Sequence, residues 1–331
     1  MAYGVFAKIA PFSYLAEPIT TTMKRRDFLK KTTGLALAAG AAGALKPAEL
    51  LAGDVLNTTE LLAADAANTD NTLKIRFLGT GAAGGKGSSG KGRRHSSILV
   101  DNSFIIDFTD DSLDMLPEGA RTDTIFYTHS HIDHFQPSAA LKIGVKRVYL
   151  NHSWYDVAVK EFRQAAGEVG AEMPEIIPTH AGVPVVMGDV TVMPLIANHP
   201  TSNLMEESQI FLLQKGGVRL LYATDTSGIP GRSARIAGID AHKEAYGITA
   251  LIMEATMADP DDFRLYCHSS TATVANTVRV LLKTGRLHMP AGQKVYLTHI
   301  ASSLHPKDIN AGLPEPLQAA EDGMEVVFRE P

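Results

Sequence analysis

Three histidines and an aspartate crowd into one short run, Thr128-His129-Ser130-His131-Ile132-Asp133-His134. The apolar stretch before it, Thr124-Ile125-Phe126-Tyr127, reads as a buried β-strand that runs out into a loop. In extended backbone, residues two apart point to the same side, so His129 and His131 can aim at one metal ion. The chain then turns, and Asp133 and His134 can aim at a second ion beside it. Imidazole and carboxylate suit zinc, and also iron or manganese. The competing reading is a solvated loop that holds no metal. Isolated histidines usually have such explanations; four potential ligands at this spacing rarely do.

The pattern H-x-H-x-D-H after an apolar strand resembles the signature of the metallo-β-lactamase superfamily. That resemblance implies three further ligands, in order, each at the end of a later strand. His199 ends the run Val190–Asn198, Asp225 ends Val218–Thr224, and His299 ends Lys294–Thr298. By the family's pattern, His129, His131 and His199 hold one metal. Asp133, His134 and His299 hold the other, and Asp225 bridges them. The implied cofactors are two divalent metal ions, zinc first, with manganese or iron as alternatives.

The elements that must position these residues can be read from Leu73 onward. Strands are predicted at Leu73–Leu78, Ser97–Val100, Phe104–Asp107 and Arg147–Leu150. Further strands fall at Val183–Met187 and Val190–Met193 around Gly188-Asp189, and at Ile210–Gln214 and Val218–Ala223 around Lys215-Gly216-Gly217. Ser153 is the expected cap of a helix running to about Gly167, with Val157, Phe162 and Ala165 among its apolar positions. A second helix is predicted over Thr273–Thr284, with Val274, Val278, Leu281 and Leu282 at helical spacing and Gly285 closing it. Two sets of strands with helices between and after them suit two packed sheets with outer helices. The superfamily's α+β fold, a four-layer αββα sandwich with its ligands along one edge, is such an architecture. The Gly79-Thr80-Gly81 turn lacks the Lys-Ser/Thr of a P-loop and no helix follows, which excludes a nucleotide cofactor there. Its glycines allow close backbone approach at the rim of the site.

Beyond the ligands, the chain resembles the ribonuclease Z and phosphonate-pathway cyclic phosphodiesterase branch. The matching segments are Phe77–Gly81, Arg93–Asp101, Leu251–Thr256, His268–Thr271 and Leu297–Ser303. Some coenzyme-biosynthesis accessory proteins share the Gly-rich and Arg-His-Ser-Ser features. The resemblance gives His268 a role without a metal: it assists the leaving group or the developing charge. The chain reads His-Ser-Ser-Thr where the branch reads His-Ser-Thr, and Ser269 to Thr273 can equally cap the helix that follows. Glu254 can orient His268, or simply end a strand. The ribonuclease pattern has a Cys-Gly-Glu-Gly segment after the first hairpin; here the chain has Asp107-Phe108-Thr109-Asp110-Asp111. Arg93, Arg94 and His95 either lie near the metals, where arginine neutralises phosphate oxygens, or form an ordinary solvated turn. His152, His180, His242, His288 and His305 are expected on the surface or in loops.

The chain has 331 residues, 45% of them hydrophobic and 20% charged, as in a soluble globular protein. A formal net charge of -5 gives no sign of a surface for nucleic acid. The single cysteine, Cys267, excludes an internal disulfide and a cysteine-rich zinc site, and it lies too far from the N-terminus for a lipoprotein anchor. Lys24-Arg25-Arg26-Asp27-Phe28-Leu29 precedes a short Ala/Gly-rich segment, Gly34–Ala44, which ends in the small-x-small site Ala42-Gly43-Ala44. This resembles a twin-arginine export signal. Met23 then suits the translation start, which leaves residues 1–22 without a role. The expected organisation is an N-terminal extension with signal over 1–44, a linker over 45–72, and one metallo-hydrolase domain over 73–331. Export by the twin-arginine translocase implies a periplasmic or other extracytoplasmic location, membrane-tethered if the signal is uncleaved. The branch often dimerises, so a homodimer is expected by resemblance, though no interface signature is visible.

The expected reaction is hydrolysis of a small or cyclic phosphodiester by a hydroxide made at two metals, with Asp133 and His268 as the catalytic side chains. The alternatives are a lactonase or β-lactamase acting at the same site, and a non-enzymatic metal-binding accessory protein. The expected partner is a small-molecule substrate, not a nucleic-acid polymer. The polar segment Thr201–Ser208 is expected to be a mobile part of the rim that selects it.

Overall fold

Apolar runs bounded by turn residues become strands wherever the chain can bury both of their faces. A computed structural model describes residues 71–83, 92–120, 123–242 and 246–331. The predicted signal and linker segments within residues 1–70 lie outside the described residues. Six strands come first: β1 (Leu73–Gly79), β2 (Ser97–Val100), β3 (Phe104–Ile106), β4 (Thr124–Phe126), β5 (Arg147–Asn151) and β6 (Glu175–Thr179). The next four are β7 (Val185–Met187), β8 (Val190–Ile196), β9 (Gln209–Lys215) and β10 (Val218–Ala223). The last four are β11 (Ala250–Glu254), β12 (Val295–Thr298), β13 (Leu317–Ala319) and β14 (Glu325–Phe328).

They form two seven-stranded sheets, ordered β14-β1-β2-β3-β4-β5-β6 and β13-β12-β11-β10-β9-β8-β7. The sheets share one plan. In the first, β14, β1, β2 and β3 pair antiparallel and β3 to β6 pair parallel. In the second, β10 to β13 pair parallel and β7 to β10 antiparallel. Parallel strands covered on both faces read as unbroken apolar runs. Every residue of β4 and of β11 is buried accordingly. The β2–β3 hairpin turns through Asp101 and Asn102, both at positive φ, a conformation these residue types tolerate.

One core lies between the sheets, where Phe104, Phe126, Tyr149 and Phe211 meet; Phe126 stacks on Tyr149 with ring centroids 4.5 Å apart. The helices cover the outer faces. On the first sheet lie α1 (Pro137–Lys142) and α2 (Tyr155–Val169); Phe162 of α2 packs on Tyr127 and Phe135. On the second lie α3 (Gly231–Ile236) and α4 (Thr271–Lys283), with Val274, Val278 and Leu281 buried. The molecule is thus the expected αββα sandwich.

The helix starts differ from expectation. Asn151, not Ser153, takes the capping role: its side chain accepts from Ser153 N and begins a 3-10 turn, His152–Trp154, that buries Trp154. The Ser153 hydroxyl accepts from Glu207 N instead. Val157 and Leu282, read as apolar-face residues, are exposed. Ser270 caps α4, so that helix begins at Thr271, and Gly170 closes α2 in the left-handed conformation.

Candidate metal centre

Two antiparallel steps separate β8 from β10, so both run the same way, together with parallel β11 and β12. Their C-terminal ends therefore share one edge of the second sheet. His199, Asp225 and His299 follow the ends of β8, β10 and β12 at that edge. The run His129–His134 follows β4 of the first sheet. Asp107, Asp225 and His299 adopt φ of 57°, 46° and 51°. This left-handed region costs most side chains energy, and Asp and His are among the types found there. Strain of this kind gathers at functional sites, and here it falls on three strand ends around one centre.

All seven predicted ligands converge. The nitrogens of one trio crowd together: His131 Nδ1 lies 2.9 Å from His129 Nε2 and 3.1 Å from His199 Nε2. In the other, His134 Nε2 lies 3.3 Å from His299 Nε2, with Asp133 Oδ2 at 3.5 Å and 3.4 Å from the two. Asp225 stands between the trios. Its Oδ2 is 2.8 Å from His134 Nε2 and 3.1 Å from His299 Nε2, while its Oδ1 is 3.8 Å from His199 Nε2.

The outer nitrogens explain why the inner ones face one another. Thr128 donates its hydroxyl proton to Asp107 and can only accept at 2.9 Å from His129 Nδ1–H. Thr256 donates to Glu254 and accepts at 2.8 Å from His299 Nδ1–H. His134 Nδ1–H donates to Asp107 at 2.8 Å, and His199 Nδ1–H donates to Cys267 O at 3.1 Å. Each of these four rings therefore turns an Nε2 lone pair inward. Facing lone pairs repel unless a proton or a cation stands among them, and this arrangement of outer partners is how proteins orient metal-binding imidazoles. The donor set, imidazoles and carboxylates in two trios, fits two divalent cations.

The electrostatics agree. Burial holds His129 well below the ordinary imidazole value, which keeps it a neutral donor. Burial also pulls His134 down, but Asp225, Asp133 and Asp107 outweigh it and raise that ring well above its ordinary value. Burial raises the Asp225 carboxyl; His299 and His134 more than reverse this and hold it well below the carboxylate range. The centre thus attracts positive charge.

His268 lies on the flank of this centre. Its Nδ1 is 3.5 Å from Asp225 Oδ1 and 3.1 Å from Glu254 Oε1. Glu254, fully buried at the end of β11, also accepts from Thr226 N at 2.6 Å. The capping reading of the segment holds, since Ser270 caps α4, and the same segment leaves His268 facing the centre. His268 is also close enough to Asp225 and His299 to share an ion with them, and Cys267 to share one with His199 and His268.

Sequence reading missed Asp107, Thr128, Thr256 and Glu206. Asp107 had a signal, as an acid closing an apolar strand. Glu206 accepts from Ser130 N at 2.7 Å and from its hydroxyl at 2.6 Å, and Thr201 donates to it at 3.0 Å. These bonds tie down the segment expected to be a mobile rim. Arg93 and Arg94 are also committed elsewhere: Arg93 pairs with Glu321 and Arg94 makes two bonds to Asp114, so neither is free for phosphate. His152 and His180 pair with ring centroids 4.3 Å apart, and His305 bonds the carbonyls of Ala255 and Thr256.

Residues 98–300 match the family model of the β-lactamase superfamily domain. No curated protein matches the chain significantly. Several solved structures share its fold. A diphosphatase from the PhnP family is 20% identical, with 78% of this chain and 97% of that one covered at a TM-score of 0.54. Zinc-bound PqqB from Methylobacterium extorquens is 15% identical, covering 76% and 99% at 0.56. The short form of human tRNase Z is 19% identical, covering 76% and 98% at 0.53.

Proposed function

The chain belongs to the β-lactamase superfamily, and from that premise we propose that it is a metal-dependent phosphodiesterase acting on a small or cyclic diester. The observation that carries the reading is the buried Glu254 behind His268, beside the carboxylate that spans both trios. His129, His131 and His199 would hold one ion, Asp133, His134 and His299 the second, and Asp225 both. Two divalent cations supply Lewis acidity and an acidified water when bound.

The side chains supply the rest. Burial lowers the His268 pKa, but the hydrogen bond and charge of Glu254, with Asp225, raise it above the ordinary value. Glu254 thus favours the protonated ring and orients it, so that it can protonate a leaving alkoxide. Asp133, beside His134 and His299, can accept a hydrogen bond from a water and fix its direction. Carbonyl hydrolysis needs the same ligands; His268 oriented by Glu254 and the phosphodiesterase-like segments favour the diester.

The rim supports a small substrate. Ile132, Leu204, Met205, Phe263 and Tyr266 are exposed there, while Arg93, Arg94 and Arg264 are bound in ion pairs. Such a rim suits an uncharged organic substituent better than a polynucleotide backbone. Export through the twin-arginine translocase, read from residues 24–44, belongs to the same proposal.

The test is hydrolysis of bis(p-nitrophenyl) phosphate by the purified protein with its metal content measured, beside a lactone and a cephalosporin. Diester cleavage that His268→Ala lowers about 10²–10⁴-fold with metal retained is the expected result. Two bound metals with turnover of only the lactone or the cephalosporin would overturn it.

A further inference from the structure

We propose that His95 is a second substrate-contacting imidazole, fixed by Thr109 and Asp111, whose Nε2–H donates to an anionic oxygen of the substrate on the Asp133–His134–His299 side. This rests on the reading above only in taking the anion to be a phosphodiester.

The backbone brings His95 to that side. Gly81 bridges the chain at His95 and the chain at Ile300, the residue after His299. Gly81 N donates to Arg94 O at 2.6 Å, and Ser96 N to Gly81 O at 2.9 Å. Gly79 and Gly81 permit this approach, because a Cβ on Gly79 would lie 1.9 Å from His95 O and one on Gly81 2.8 Å from Arg93. From the other direction, Phe108 N donates to His134 O at 3.0 Å. The next residue, Thr109, places its hydroxyl 3.2 Å from His95 Nδ1. His95 is therefore wedged between the segments that carry His299 and His134.

The ring's environment is that of a working residue. Its side chain is 18% exposed, and Asp111, 14% exposed, puts Oδ2 at 3.7 Å from Nδ1. Among the described residues Asp111 has no other ion-pair partner, and His95 Nε2 has no hydrogen-bond partner. That nitrogen is not among the buried unpartnered atoms, so it is open to solvent and to a ligand. Asp133, His134 and His299 lie near enough for their charges to act on the ring, which burial keeps neutral in the free protein. An anion beside Nε2 favours the imidazolium, and Asp111 stands where it can take up the Nδ1–H. Glu254 bonds His268 directly at 3.1 Å, whereas here Thr109 takes that place and Asp111 stands behind at 3.7 Å.

The experiment compares wild type, His95→Ala and His95→Gln, all full-length and metal-loaded. Calorimetry gives the Kd of inorganic phosphate, and kinetics give kcat and KM on bis(p-nitrophenyl) phosphate. His95→Ala should raise the phosphate Kd and the diester KM by about tenfold, the loss of one charge-assisted hydrogen bond, with metal content unchanged. His95→Gln, which keeps a donor, should recover most of that loss. Unchanged Kd and KM in His95→Ala would overturn the proposal. If His95→Ala fails to fold, the wild-type His95 ring resonances decide, assigned by their loss in His95→Gln. They should shift on phosphate addition, and rings that ignore phosphate would overturn the proposal. Weakened phosphate binding in His95→Ala, beside a wild type that cleaves no diester, would sink the phosphodiesterase reading and leave this one standing.

Discussion

At the scale of single residues, the convergence of the seven candidate ligands was legible and their supports were not. Spacing places His129, His131, Asp133 and His134 on one loop, because strand and turn geometry are local. The order of His199, Asp225 and His299 was readable because each closes an apolar run. Thr128 and Thr256 serve the same centre, yet nothing local marks them, and Asp107 carries only the weak mark of an acid closing an apolar strand. Their role depends on which strand ends meet in space, and an acid or threonine after a strand is ordinary in sequence. Glu254 shows the consequence of such a support. Its hydrogen bond and charge hold the His268 pKa up against burial. A raised pKa keeps the acid form present to higher pH, so the rate should hold until pH climbs through that value and then fall. Glu254→Gln removes the charge that raises it and leaves burial, which lowers it. The alkaline fall should therefore move to lower pH, with the rate at the optimum reduced about 10–100-fold. A pH–rate profile of kcat for both forms is the check, and an unmoved alkaline limb would mean that His268 is not the titrating acid.

At the scale of elements, the predicted strands were read nearly to their ends, β6, β13 and β14 were not predicted, and the helix starts were read less well. Strand limits are set by apolar runs and turn residues that any reader of the chain can see. A helix start depends on which of several capping side chains wins. Asn151 won over Ser153 because the 3-10 turn it begins also buries Trp154, while Ser153 serves Glu207. The Gly79-Thr80-Gly81 turn is the case where a readable element carries the site. Its glycines matter for closeness: a Cβ at position 79 would meet the backbone of His95, which has no rotamer to yield. Gly79→Ala should therefore push β1 and the His95 segment apart. The expected cost is about 1–3 kcal/mol, seen as a lower denaturant midpoint with an unchanged m-value. Because Gly81 also pairs with Ile300, the same change should weaken metal binding. A variant as stable as wild type would show that this approach is looser than the geometry implies.

At the scale of the whole molecule, neither sheet holds a complete trio. His129 and His131 come from the first sheet and His199 from the second. Asp133 and His134 come from the first and His299 from the second. Each ion would therefore bridge the two sheets along the edge where their strands end, a cross-link the unfolded chain cannot offer. A ligand that binds only the folded state stabilises it by mass action, about 2.7 kcal/mol for each ion held at 100 times its dissociation constant. For a domain of this size two such ions correspond to a rise in Tm of roughly 10 °C. Chelation should then lower Tm by that amount, and zinc or manganese should restore it in the order of their affinities. His131→Ala, which breaks one trio, should remove about half of the metal-dependent shift. His152→Ala, outside both trios, should leave it whole. The sheets already share a large apolar core, so the metal-free protein should still unfold cooperatively. The ions would then clamp one edge of a sandwich that stands without them. Equal melting temperatures with and without metal would argue that the trios do not clamp the sheets.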